Sequence, residues 1–132
     1  MTIDVENHFS IDQFESGEID AEHFGHAAHV YVAWLYVNQF GLEAALPQFD
    51  AALRRLTESL GVPEKYHATI TGFLLTLIAK RIDSQENWRA FCASNEDLLG
   101  DSRSLLSIYY SDARLNSVEA RRQFVQPDRP SA

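Results

Sequence analysis

Several residue types are scarce in this 132-residue chain, and each scarcity excludes a class of protein. A single cysteine, Cys92, cannot form an internal disulfide, so the chain is not a disulfide-stapled secreted domain and a cytoplasmic location is predicted. Six glycines and four prolines are too few for a collagen-like or low-complexity chain. The longest largely apolar run, residues 72–79, is far shorter than the ~20 residues of a membrane-spanning helix, and no membrane partner is expected.

Basic side chains are absent from the first part of the chain. Residues 1–53 carry nine acidic side chains and no Lys or Arg, whereas residues 54–132 hold all eleven basic and the other ten acidic ones, for a net charge of −8. Proteins that bind nucleic acids gather Lys and Arg against the phosphates, so we expect no nucleic-acid partner. The acidic stretch either forms a solvated surface or lies over basic positions of this chain or of a second copy.

The remaining composition is that of one globular domain. Hydrophobic residues make up 45% of the chain and include eight Phe, five Tyr and two Trp, which is enough for a core. No repeat or Gly/Ser-rich linker divides the chain. We predict an acidic N-terminal arm over residues 1–19, a helical bundle domain over 20–125 and a flexible C-terminal tail over 126–132.

The hydrophobic period between arm and tail is helical, and no convincing pair of strands is present. We predict an all-α fold, a single-domain antiparallel bundle with three longer helices and shorter ones packed across it. Pro47 either kinks the second long helix or marks its start. The predicted helices cover residues 20–40, 42–60 and 63–82, with shorter ones near 83–92, 102–110 and 116–122.

The first long helix has apolar residues on nearly all sides. At about 100° per residue, Val30 and Trp34 fall on one side while Tyr31 and Leu35 cover the other. Such a helix is either the central element of its domain or meets a second subunit. The second possibility predicts a homodimer.

Histidines interrupt this apolar helix at a spacing that brings them to one face. If the helix includes residue 22, Glu22, His26 and His29 form one stripe. His67 falls on the core-facing side of the third predicted helix, so two helices could direct His26, His29, His67 and Glu22 to one point. Three imidazoles and a carboxylate suit a transition metal such as Zn or Fe.

Other roles for these histidines stay open at the level of sequence. They are either core or interface histidines, metal ligands, or metal-free acid and base groups, with Glu22 and His67 as the catalytic candidates. Tyr66 and Trp34 are candidates for lining a cofactor or ligand pocket. Lys65 and Arg81 are candidates for holding an anionic substrate.

The same histidines belong to a wider pattern. Its residues are Phe24, His26, His29, Ala33 and Trp34, then Lys65, Tyr66, His67 and Thr69, then Tyr109, Tyr110 and Ser111, and finally Pro127 and Asp128. In this pattern the chain resembles an uncharacterised group of small bacterial all-helical proteins, and the similarity extends over most of residues 20–128. The resemblance implies importance for His26, His29 and His67, and it implies no particular reaction or cofactor.

Two hypotheses about function follow. The first is a small protein that binds a metal ion or small molecule through its histidine cluster, with enzymatic activity left open. The second is a non-catalytic homodimeric interaction or assembly module whose histidines are structural.

Overall fold

The computed structural model of this protein describes residues 6, 9–19, 24–83, 85–100 and 102–129, with residues 102 and 103 described by their backbone alone. Every regular element in this part of the chain is helical, which confirms the all-α prediction. None of these helices is long and apolar enough to span a membrane. The helices are α1 Ile11–Ser16, α2 His26–Phe40, α3 Leu42–Ser59, a 3₁₀ turn Pro63–Lys65, α4 Ala68–Arg81, α5 Trp88–Ser94, α6 Glu96–Leu99, α7 Ser102–Tyr109, α8 Asp112–Leu115 and α9 Val118–Arg122.

The three longest helices, α2, α3 and α4, pack against one another and enclose the core. Val30, Val32 and Tyr36 of α2 are completely buried by the chain's own residues. The apolar residues around α2 are therefore explained by a central position within the domain. The homodimer stays a prediction, and the buried apolar residues of α2 do not require one.

A single residue connects α2 to α3. Gly41 has φ of 78° and ψ of 161°, a combination that is essentially restricted to glycine. Its N–H donates to the Val37 carbonyl of α2, and its own carbonyl accepts from Ala45 of α3. Gly41 thus ends one helix and begins the next.

Pro47 lies inside α3 and does not mark its start. The helix begins at Leu42, five residues earlier, and continues to Ser59. Of the two alternatives left by the sequence, a start at Pro47 is therefore excluded.

The predicted start of the third long helix is wrong. Instead of one helix from Pro63, the chain forms a 3₁₀ turn over Pro63–Lys65 and an extended segment before α4 begins at Ala68. His67 has φ of −143° and ψ of 110° and is the N-cap of α4, not a residue on its face. Its imidazole supplies the capping acceptor, which is why the helix begins one residue later.

The start of the first long helix also differs from the prediction. Phe24 and Gly25 are not helical, and Gly25 is the N-cap of α2. The helical arithmetic that placed Glu22 on the stripe of His26 and His29 therefore does not apply. Glu22 itself lies outside the described residues.

The segment before α2 contributes to the core. Phe9, Phe14 and Ile19 are buried, and the Phe14 ring stacks on that of Phe49 in α3 with 5.2 Å between centroids. The Ser10 hydroxyl accepts from the Gln13 N–H at 3.2 Å, so Ser10 is the N-cap of α1.

The end of the described chain is exposed but hydrogen-bonded. The Asp128 carboxylate accepts from the Ser111 N–H at 2.8 Å and from its hydroxyl at 2.5 Å. The Arg129 N–H donates to the Tyr109 carbonyl at 2.9 Å. These bonds hold residues 128 and 129 against the end of α7.

Candidate functional site

A cavity of about 540 Å³ lies where the start of α2, the end of α3 and the start of α4 meet. The three predicted histidines, His26, His29 and His67, all line it, so the structure brings them to one place. The rest of the wall consists of Phe24, Gly25, Leu53, Leu56, Thr57, Leu60, Val62, Lys65, Ile70 and Thr71.

His26 joins the start of α2 to α6. Its Nε2 lies 2.8 Å from the carbonyl oxygen of Leu98. Because a carbonyl oxygen only accepts, Nε2 carries a proton and donates it to this carbonyl.

Both ring nitrogens of His67 are used by the backbone. Nδ1 accepts from the Ile70 N–H at 3.2 Å and caps α4, while Nε2 donates to the Leu115 carbonyl at 2.8 Å. Burial lowers the pKa of His67, and the positive charge of Arg121 acts in the same direction, against the opposing bond to Leu115. His67 is thus a neutral imidazole that fastens α8 to the start of α4.

His29 has a buried ring nitrogen that forms no hydrogen bond with the described residues. Its ring lies 6.0 Å from the Phe24 ring, nearly parallel to it, and 5.5 Å from the Phe49 ring. Its Nε2 is buried and has no hydrogen-bond partner among the residues that the structure describes. Burial, with a smaller contribution from nearby His26, lowers its pKa to about 4. The ring is therefore neutral at pH 7.

The predicted metal set lacks a suitable arrangement among the described residues. No three His, Cys, Asp or Glu side chains in this part of the chain could hold a metal ion together. A histidine that binds a metal must offer an unprotonated ring nitrogen. Both ring nitrogens of His67 are in hydrogen bonds to the backbone. A metal completed by Glu22 stays a prediction, because Glu22 is outside the described residues.

Trp34 and Tyr66, the predicted ligand-lining aromatics, lie away from this cavity wall. The Trp34 ring packs among aromatic rings, 5.5 Å from that of Trp88. The Tyr66 hydroxyl donates to the Asp50 carboxylate, and the Arg54 guanidinium lies 4.2 Å from the Tyr66 ring centroid. Burial, and then the bond to Asp50, raises the pKa of Tyr66.

Arg81, the third predicted ligand-binding residue, is engaged in an ion pair. Its guanidinium donates to both Asp97 oxygens, at 2.8 and 3.0 Å, and to the Asn95 side chain at 3.3 Å. These bonds connect the end of α4 to α6 and lower the pKa of Asp97. The guanidinium therefore holds two helices together.

We expect Asp97→Asn to lower the free energy of unfolding by less than about 1 kcal/mol. The pair has bidentate geometry, but half of the Asp97 side chain is exposed, and exposed ion pairs contribute little. Urea unfolding at low and high salt measures the effect. Asp112→Asn, on exposed α8, is the control, and an equal loss in both variants would contradict the assignment.

Sequence reasoning did not select the apolar part of the wall. Leu53, Leu56 and Leu60 are spaced so that they share one face of α3, which reads as an ordinary core stripe. Leu53 and Leu56 are indeed buried, whereas Leu60 is 42% exposed. An apolar stripe does not show which of its members will meet a neighbouring helix and which will border an empty space.

A second groove, of about 410 Å³, lies on another side of α3 and α4. Leu46 and Pro47 form one wall, and Phe124 and Arg122 form another. The Phe124 ring covers Gly72 so closely that a Cβ at Gly72 would lie 2.7 Å from it. This groove contains no histidine.

Comparison with known proteins found no match for this chain. No family profile, no curated protein and no solved structure matches this chain. The functional proposal therefore rests on the cavity and its residues.

Proposed function

We propose that this protein binds a small, largely apolar molecule in the histidine-lined cavity. The observation that carries the proposal is His29, a neutral imidazole at the cavity wall whose buried Nε2 has no partner in the described part of the chain. Leaving a buried polar group unsatisfied costs about 1–3 kcal/mol, so such a group in a native structure requires an explanation. Ligand sites are the places where buried polar groups and shifted pKa values are common.

The size and chemistry of the cavity support a small organic ligand. Its volume of about 540 Å³ falls within the ordinary range for ligand pockets. Its wall is mainly apolar and carries a few polar groups, among them the imidazoles of His26 and His29. Such a wall favours an apolar body with one polar group.

The hydrogen bonds of the histidines favour an organic molecule over a metal ion. His26 and His67 each donate a proton from Nε2 to a backbone carbonyl, and these bonds fix both rings in place. The two fixed imidazoles form part of the cavity wall at the N-terminal ends of α2 and α4. The catalytic roles predicted for His67 and Glu22 carry no support from this arrangement and stay predictions.

Titration with 1-octanol tests the proposal. We expect submillimolar binding, detected as shifts of the His29 and His26 ring signals in ¹⁵N-labelled protein. Ile70→Phe adds bulk at the cavity wall and is expected to weaken binding roughly tenfold. Leu46→Phe is the matched control, since Leu46 is also half-buried but lines the other groove.

Two results would contradict the proposal. One is that neither 1-octanol nor its carboxylate analogue octanoate binds. The other is equal weakening by Ile70→Phe and Leu46→Phe, which would place the ligand outside the cavity.

A further inference from the structure

We infer that the natural ligand of the histidine-lined cavity is an aliphatic carboxylate, with its charged group at Lys65 and its chain along the leucines of α3. This inference rests on the proposed function and adds the chemical class of the ligand.

The charge of the wall favours an anion. The described residues that line the cavity include one cation, Lys65, and no Asp or Glu, although the whole chain has a net charge of −8. The Lys65 ammonium forms no ion pair with any carboxylate in the part of the chain that the structure describes. An exposed ammonium at the edge of an apolar cavity is suited to a carboxylate.

A second positive charge lies close to the same edge. The Arg121 guanidinium donates to the carbonyl of Glu64, the residue before Lys65. It is also close enough to His67 for its charge to act on that imidazole. Two cationic side chains, Lys65 and Arg121, therefore lie at this edge of the cavity, with Glu64 as the adjacent acidic residue.

The hydroxyl groups of the wall already donate hydrogen bonds within the protein. Among the described wall residues, Lys65 is the charged side chain that can pair with a carboxylate. Thr57 donates to the Leu53 carbonyl at 3.1 Å, and Thr71 donates to the His67 carbonyl at 2.8 Å. Both hydroxyl protons are thus used within the helices, and these threonines present mainly their methyl groups to a ligand.

The apolar residues accommodate the aliphatic chain. The cavity is lined by Leu56, Leu60, Val62 and Ile70, and Leu60 is 42% exposed. Covering this surface would remove apolar area from water. A charged head at Lys65 and a chain on these residues together define an amphipathic anion.

A comparison of octanoate with 1-octanol tests the inference, because the two probes share a chain length and differ in charge. We expect the full-length protein to bind octanoate at least roughly tenfold more tightly than 1-octanol at pH 7.5 and low salt, measured by isothermal titration calorimetry. Lys65→Gln is expected to lower the affinity for octanoate to about that for 1-octanol, so that the preference is lost. Lys80→Gln, at the far end of α4 and outside the cavity wall, is the matched control and is expected to keep the preference.

The outcomes separate this inference from the proposed function. Equal binding of the two probes would overturn the carboxylate inference and leave a neutral ligand for the cavity. A preference for octanoate that survives Lys65→Gln would overturn the assignment of Lys65. Failure of both probes to bind would overturn the proposed function and the inference with it.

Discussion

Replacing His67 with alanine is expected to lower the free energy of unfolding by about 3 kcal/mol. The substitution removes the Nδ1 acceptor that caps α4, which is worth about 1 kcal/mol. It also removes the Nε2–H donor and leaves the Leu115 carbonyl without this partner, at a cost of about 1–3 kcal/mol. Urea unfolding followed by circular dichroism measures the loss.

His67→Asn separates the two contributions. The asparagine side chain can accept from the Ile70 N–H, so we expect it to recover about 1 kcal/mol, the share of the cap. His26→Ala, which leaves the carbonyl of buried Leu98 without this partner, is expected to cost about 1–3 kcal/mol. A loss below about 0.5 kcal/mol for His67→Ala would show that the two bonds of His67 do not support the fold.

Lowering the pH from about 6.5 to about 4 is expected to remove about 3 kcal/mol of stability through His29. The pKa of this histidine is about 4 in the folded protein and 6.5 in the unfolded chain. The unfolded chain therefore binds more protons between these values, and stability falls as the pH falls. Each unit of difference corresponds to about 1.4 kcal/mol, and the lowered pKa of His67 acts in the same direction.

His29→Phe isolates this contribution from the titration of the carboxylates. Phenylalanine resembles the neutral imidazole in shape and is expected to pack between Phe24 and Phe49. Because Nε2 has no partner, its removal is expected to be neutral or stabilising at pH 7. The difference in unfolding free energy between this variant and the parent should grow as the pH falls. A difference that is constant from pH 7 to pH 4 would refute the buried, neutral state of His29.

The helices were predictable where their signals lie within a few residues. The first long helix is predicted to end at residue 40, just before Gly41, and the structure ends α2 at Phe40. The start of α4 was not predictable in this way. Pro63 is a good first residue for a helix, but the chain uses it for a 3₁₀ turn and begins the helix after His67.

The candidate site was predictable in its residues and not in its chemistry. Helical spacing and the isolation of histidines among apolar residues selected His26, His29 and His67, and these three line one cavity. The prediction of a shared metal assumed that their nitrogens are unoccupied. In the structure, the backbone carbonyls of Leu98 and Leu115 occupy two of them.

The sequence alone determined the all-α class and the approximate positions of the three long helices, and it selected the histidines that line one cavity. These features depend on periodicity and on caps, which act over a few neighbouring residues. Only the tertiary structure decided what each imidazole does, because the carbonyl partners of His26 and His67 lie 72 and 48 residues away along the chain. The cavity itself exists only where three helices meet, and no local pattern encodes an empty space.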